Sequence, residues 1–499
     1  MNTNMNSKKI LLILAMVIAV ITLCEMYYLT AVSLWHDESF SALLVKYNFS
    51  EMMERIKADV HPPLYYIFLK GWVAPFGNSL FSLRMFSVFF SILAILSVYF
   101  FIKEAFKNRN LALFSSLLYT LSYFQVQYAM EARMYSLGTF LVITSSYFFL
   151  KAIENKKWIW WFFYALFVSL GIYTHYFVAF WVIAQGIYLV FILYREFGLK
   201  IINLIRDKNF RFALISYFLV FISYIPWLPT LFKQFTQVQE SYWIPPMNIW
   251  SIPNTFSKMT IGVTLDPAKM RYFLIFLMVV VFLAIFFFLK RRQEKEKWLI
   301  FLLLIFPFLL TAVLSYKRSI YIDRYFIFGF PSYLIFIASA ILLIKNKPVK
   351  NFFIAITLLG ASLTFPINWV TLGADKKPGM AAAARYINQE VKSNEKIFVG
   401  SSLIYFVFKY YNQTPVYPKL YAPGYMPHFS GTALLSKEDI IVDFNQETKK
   451  DDVVWMINTT GFGNYQPNVP NNWLRQEEKG FQEVQNYQGW IVVIKYKVE

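Results

Sequence analysis

The chain has 499 residues, 58% hydrophobic and only 15% charged, a balance that a water-soluble globule of this length cannot hide from solvent. Its formal charge is +19, yet the basic residues sit in alternate short loops between apolar runs, so the excess reports membrane topology and argues against a nucleic-acid partner. The single cysteine, Cys24, lies inside the first apolar run, which leaves no disulfide and no thiol metal site.

In chain order, apolar runs long enough to cross a bilayer recur at about 10–30, 81–102, 111–127, 136–150, 158–174, 177–194, 212–231, 272–289, 298–315, 325–344 and 351–371. They predict an α-helical polytopic membrane protein of about eleven transmembrane helices. The first run is long, lacks a small-residue cleavage site and is followed by many others, so it reads as a retained helix. Loops at 8–9, 103–109, 151–157, 195–211, 290–297 and 345–350 carry the lysines and arginines and are assigned to the cytoplasm. With the N-terminus cytoplasmic and an odd number of crossings, the segments holding Asp37, Glu131, His175, Tyr242 and Arg324 fall outside a plasma (cytoplasmic) membrane. So does everything after about 372.

The first outer segment, 35–80, contains EMMERIKADV, whose spacing suits a helix lying along a surface. A second, 232–270, carries Trp243, Pro245, Pro246, Trp250 and Pro253, which predicts irregular backbone serving as a lid or lipid contact, or as a passive ordered loop. After Pro366 the composition becomes polar. This divides the chain into a transmembrane domain, 1–372, and a soluble extracytoplasmic mixed α/β domain, 373–499. There AAAARYINQEVK and SLIYFVFKYY read as helices, and KIFVG, DDVVWMI and GWIVVIKYKV as strands.

Ionisable residues at the outer ends of apolar helices cost free energy unless paired or hydrated, so they are the informative ones. Asp37 and Glu38, in WHDESF, follow the first helix and either mark the water boundary or supply a base. In HPPLYY two prolines stiffen the backbone after His61, which makes it a rigid turn residue or a fixed substrate contact. Arg84 either snorkels or pairs with an acid. YAMEARMY places Glu131, Arg133 and Tyr135 together, as a structural ion pair or as an arginine aimed at phosphate with its orienting acid. His175, Tyr176 and the cluster Lys317, Arg318, Asp323 and Arg324 fall on the same side. Cations retained on the side that the positive-inside rule disfavours are well explained by an anionic lipid head there. No Walker loop and no GxGxxG turn follows a strand, so a lipid is the more natural sugar carrier than a nucleotide.

In WHDESF, HPPLYYIFLKGW, LRMFSVFFSILAI, YAMEARMYSL, YTHYF and DRYFIFGFPSYL, in that order, the chain resembles the polytopic GT-C glycosyltransferases, in the group of bacterial protein O-mannosyltransferases and aminoarabinose transferases. The resemblance implies a transferase using a polyprenyl-phosphate-linked sugar, with membrane lipids around it and a glycan, lipid or protein as acceptor. It puts Asp37, or its neighbour Glu38, in the place of the catalytic acid that deprotonates the acceptor hydroxyl, with inversion at the anomeric carbon. Arg133 and Arg324, with His61 and His175, then stabilise the departing phosphate. Arg84, Glu131 and Tyr135 complete the expected binding set. No cofactor is expected to be required, and since metal use varies among such enzymes a divalent ion is left open. The rival readings are a transporter or flippase of lipid-linked sugars, whose polar groups should sit nearer the bilayer midplane, and a receptor, which leaves the YAMEARMY and DRYF clusters unexplained.

Overall fold

The structure is a computed structural model that describes residues 7–198, 200–240, 243–262, 294–372, 379–461, 466–483 and 489–499, with a few positions between 277 and 286. The predicted run 272–289 and Tyr242 therefore lie largely or wholly outside the described residues. Among those described, eight helices are long and apolar enough to cross a membrane: Leu11–Tyr28, Leu80–Phe106, Tyr135–Asn155, Val178–Phe197, Lys208–Glu240, Lys297–Leu314, Asp323–Leu342 and Lys347–Val370. The protein is thus a multi-pass membrane protein. At 1.5 Å per residue the 27 residues of Leu80–Phe106 reach roughly 40 Å, more than the hydrocarbon thickness.

Two predicted runs come out shorter. Trp158–Ile172 is a 15-residue helix. The run 111–127 is interrupted at Ser122, whose extended backbone (φ −71°, ψ 129°) ends Arg109–Leu121 and starts Tyr123–Ala129. The apolar composition continues through the break, which is why hydropathy did not register it. In the segment expected to be irregular, the chain instead forms Leu228–Glu240 and Ser251–Ile261. Pro253 sits in the first turn of the latter, where a missing N–H costs no helical hydrogen bond.

The chain forms two compact units, one of Met1–Glu25, Met85–Pro229 and Ile244–Asn368, the other of Met26–Arg84, Thr230–Trp243 and Trp369–Glu499. In the first, Tyr135–Asn155 packs on Trp158–Ile172, which packs on Lys208–Tyr224, while Val178–Phe197 packs on Lys297–Leu314. Gly138 permits a close crossing, because a Cβ there would lie 2.5 Å from Cε1 of Phe328. Polar side chains inside this bundle satisfy one another. Gln185 accepts from Tyr164 (3.0 Å) and donates to Ser145 (3.2 Å) and Ser146 (2.9 Å), the kind of interhelical bond that holds apolar helices together where burial of apolar surface gives no preference.

The second unit joins the first outer segment to the C-terminal domain. Helices His36–Leu44, Phe49–Ala58 and Leu64–Phe76 follow one another. Asn48 caps the second by accepting from the Glu51 N–H at 2.9 Å, and Met52 and Ile56 supply its buried stripe. The C-terminal domain is a six-stranded mixed sheet: β1 (Lys396–Val399), β2 (Lys419–Tyr421), β3 (Ile440–Ile441), β4 (Val453–Thr459), β5 (Trp473–Gln482) and β6 (Trp490–Val498), in the order β3-β2-β1-β4-β6-β5. The first four are parallel to one another, and β6 pairs antiparallel with β4 and β5. Phe398, Met456, Ile494 and Trp473 form one buried face with Phe444 and Ile441. Helices Gly379–Glu390 and Ser402–Tyr411 match the expected ones.

This domain grips the outer segment directly. His36–Leu44 packs on Ser402–Tyr411. The Leu34 N–H donates to Tyr411 Oη (2.9 Å), the Ala381 N–H to Ser33 Oγ (3.0 Å) and Tyr410 Oη to the Asn78 carbonyl (2.9 Å). Inside it, Asp439 accepts from Tyr405, from Tyr417 (2.7 Å), from Lys409 (2.5 Å) and from the N–H and hydroxyl of Ser436 (both 2.7 Å). Burial alone raises a carboxyl pKa, but these donors outweigh it and hold Asp439 well below the usual range.

Candidate functional site

The predicted residues fall into two groups, one in each unit. In the second unit, WHDESF turns into a helix because Trp35 is extended and its N–H donates back to Glu38 Oε2 (3.3 Å), with both acids in the first turn, where the helix dipole favours them. The adjacent acids then part company. Glu38 is 1% exposed and receives Arg84 through Nε (2.8 Å) and Nη2 (2.7 Å). Arg84, 5% exposed, also donates to the carbonyls of Leu29 (2.6 Å), Val32 (2.8 Å) and Ser33 (3.2 Å). All five of its N–H donors are thereby engaged, and they fasten the end of the first helix to the outer segment. Asp37 stands outside that pairing. It is half-buried, and its main-chain carbonyl accepts from Ser41 Oγ (3.1 Å).

His61 is also half-buried, with Nδ1 3.0 Å from Asp59 Oδ2. The strip that carries it is fixed from behind: Gln234 and Gln237 donate to the carbonyls of Ile56 (2.9 Å) and Ala58 (3.0 Å) at the helix end. Asp59 lies two residues before His61 in ADVHPP, a spacing that could have been read from the sequence. His428, from the C-terminal domain, lies close enough for its charge to respond to both Asp59 and His61. No local pattern announced it.

In the first unit the structure brings Glu131, Arg133, Tyr135, His175 and Arg324 together. Tyr135 starts its helix and is buried within electrostatic reach of Arg324, Glu131, Tyr325 and Arg133. Tyr128 lies 5.1 Å from Tyr135, ring to ring, and within reach of Asp323, Glu131 and Arg324. His175 packs its ring 6.4 Å from Tyr135, 4.7 Å from Tyr325 and 5.3 Å from Phe328. Its Nδ1 accepts from the Phe177 N–H (3.1 Å), so the neutral ring carries its proton on Nε2. Arg133 is 2% exposed, whereas Glu131 and Arg324 remain half-buried. The DRYF turn is held in place by Asp323, which accepts from the Arg324 N–H (2.8 Å) and pairs with Lys258 of Ser251–Ile261. That helix is itself docked by Thr255 on Tyr321 (2.6 Å) and Thr260 on Tyr333 (2.9 Å). Lys258 escaped the sequence reading because it lies in the segment expected to lack regular structure.

Chemically, this group offers two guanidiniums, an imidazole N–H and phenol hydroxyls, which suits an oxyanion. Among the described residues no three His, Cys, Asp or Glu side chains converge to hold a metal ion.

Residues 60–227 match the family described as dolichyl-phosphate-mannose-protein mannosyltransferase. No significant match to a curated protein sequence was found. Among solved structures, ArnT from Cupriavidus metallidurans is similar at a TM-score of 0.61 and 12% identity, over 96% of this chain and 97% of that one. The same protein bound to undecaprenyl phosphate gives the same values. The Archaeoglobus fulgidus oligosaccharyltransferase tethered to an acceptor peptide is similar at a TM-score of 0.47 and 12% identity, over 80% and 62% of the two chains. The family match over residues 60–227 and the similar architecture over nearly the whole length show that the chain is a polytopic protein with the GT-C fold.

Proposed function

We propose that the chain is a membrane glycosyltransferase that moves a sugar from a polyprenyl-phosphate donor to a hydroxyl-bearing acceptor on the extracytoplasmic side of the plasma membrane. Supporting the donor class, the ArnT fold is found with undecaprenyl phosphate bound in that protein. The observation that carries the reading is the gathering of Arg133, Arg324 and His175 around Tyr135, because two guanidiniums in one cluster, Arg133 buried and Arg324 half-buried, are suited to a phosphate that gains charge as it leaves. Helix-end placement of these charges favours an enzyme over a transporter.

Of the two acids, Asp37 is the base in this reading, since Glu38 is already bound by Arg84 through both carboxylate oxygens. The acceptor oxygen attacks the anomeric carbon as Asp37 takes its proton. The bond from that carbon to the phosphate oxygen breaks, and polyprenyl phosphate departs with the electron pair, which inverts the configuration. Arg84 acts through Glu38 by keeping the WHDESF turn in place. No metal is required in this scheme, and the functional division remains 1–372 for the membrane part and 373–499 for the soluble part.

Purified protein is mixed with a panel of polyprenyl-phosphate sugars and the release of free polyprenyl phosphate is followed. Wild type should turn over at least one donor, Asp37→Asn none at a comparable rate. Undiminished turnover in Asp37→Asn removes the proposed base, and absence of release from every donor by wild type removes the reaction.

A further inference from the structure

His428 belongs to the C-terminal domain, in a short turn, His428–Ser430, closed by Gly431 at φ 76°. That left-handed conformation needs glycine here twice over, since a Cβ on Gly431 would also lie 2.4 Å from Cε2 of Phe406. Phe406 in turn packs 5.9 Å, ring to ring, from His36, the neighbour of Asp37. Just beyond the turn, the carbonyl of Ala433 accepts from Arg55 Nη1 (3.0 Å). Arg55 is itself paired with Glu51 and stacked 4.0 Å over the Tyr47 ring. The turn therefore backs Phe406, which packs on His36 of the WHDESF helix, and leads into the Ala433 carbonyl that holds Arg55 on the helix before His61.

His428 is 9% exposed, and its buried Nδ1 has no hydrogen-bond partner among the described residues. Such a group costs free energy that a scaffold residue of the same shape would avoid. Among the described residues, the titratable side chains whose charge reaches it are Asp59 and His61, with Arg55 nearby at the Ala433 carbonyl.

We propose that His428 is a positioning residue: through it the C-terminal domain holds the strip bearing His61 and the helix bearing Asp37 in their working arrangement, and uptake of a proton by His428 releases that hold. As a neutral ring His428 can remain buried. As a cation it would be largely withdrawn from water near another imidazole, with Asp59 the one acid among the described residues to offset it. Burial lowers its pKa first, Asp59 opposes that and His61 adds to it, leaving it below the ordinary 6.5. The sign follows: the docked state binds the proton less readily than the released state, so docking is at full strength above pH 6.5 and weakens as pH falls below it.

The inference rests on the proposed reaction for its consequence, though not for its test. Full-length wild type and His428→Gln, which keeps a neutral polar side chain that cannot titrate in this range, are compared between pH 7.5 and 5.5. Hydrogen exchange of residues 49–61, expressed as protection relative to the intrinsic amide rate at each pH, should weaken about fivefold or more in wild type across that interval and remain level in His428→Gln. Release of polyprenyl phosphate should fall in parallel in wild type, with His428→Gln keeping at least about half of wild-type turnover at pH 7.5 and a flatter profile below it. The same pH response in both proteins, or no change in protection for wild type, overturns the role of His428. If wild type cleaves no donor at any pH while the exchange arm behaves as expected, the reaction fails and the latch stands.

Discussion

The Glu38–Arg84 pocket and the cluster around Tyr135 hold similar side chains in opposite conditions. In the pocket, both partners are almost wholly buried and Arg84 spends every donor on one carboxylate and three carbonyls of the chain itself. In the cluster, charges from three separate stretches, 131–133, 323–324 and Lys258, meet beside tyrosines and a histidine, and Glu131, Asp323 and Arg324 keep part of their surface open. In the proposed reaction the difference separates charges that build the protein from charges that meet the substrate, and residue type or position at a helix end does not reveal it.

That contrast is exposed to direct attack. Asp37→Asn should lower turnover by on the order of a thousandfold, in the range of a lost general base, with the melting temperature of the full-length protein unchanged. A large loss of stability instead would put Asp37 with the scaffold. Arg84→Ala should do the reverse by stranding Glu38, at a cost of about 3–5 kcal/mol, visible as a lowered melting temperature. Wild-type stability in Arg84→Ala would erase the distinction between the two regions. Arg324→Lys keeps the charge but loses the planar fork, so release of polyprenyl phosphate should slow by about ten- to a hundredfold without a change in stability.

A smaller effect concerns acid. Because Asp439 is held below the ordinary 3.8, the stability it confers is present above that value and lost as pH falls through it toward the lower folded pKa. Asp439→Asn should therefore flatten the acid limb of thermal stability for the whole chain, and an unchanged limb would assign acid sensitivity elsewhere. The smallest expected effect is none at all: turnover should survive EDTA, and its loss with restoration by a divalent cation would replace the metal-free scheme.

Much of this was legible from residues. Apolar runs mark most of the long helices, and EMMERIKADV, KIFVG and SLIYFVFKYY fall where their periodicity puts them. The gathering of Glu131, Arg133, Tyr135, His175 and Arg324 follows from their shared placement at helix ends. What escaped did so for physical reasons. β5 is an edge strand whose LRQEEKG stretch faces solvent, so it has no apolar alternation to detect. β2 and β3 are too short to carry a period. Lys258 and His428 earn their places through contacts with residues far away in the chain, Asp323 in one case and Asp59 with His61 in the other, and no local pattern encodes such encounters.

The unit that carries Asp37 is assembled from three stretches of chain, the last ending beyond β6. At ribosomal speeds of roughly 5–20 residues per second, WHDESF emerges on the order of half a minute before the strands that complete its core. Throughout that interval the nascent outer segment lacks its partner. A premature stop codon anywhere in the final strands should accordingly behave as a null allele, abolishing the proposed reaction although its proposed base is encoded hundreds of codons upstream.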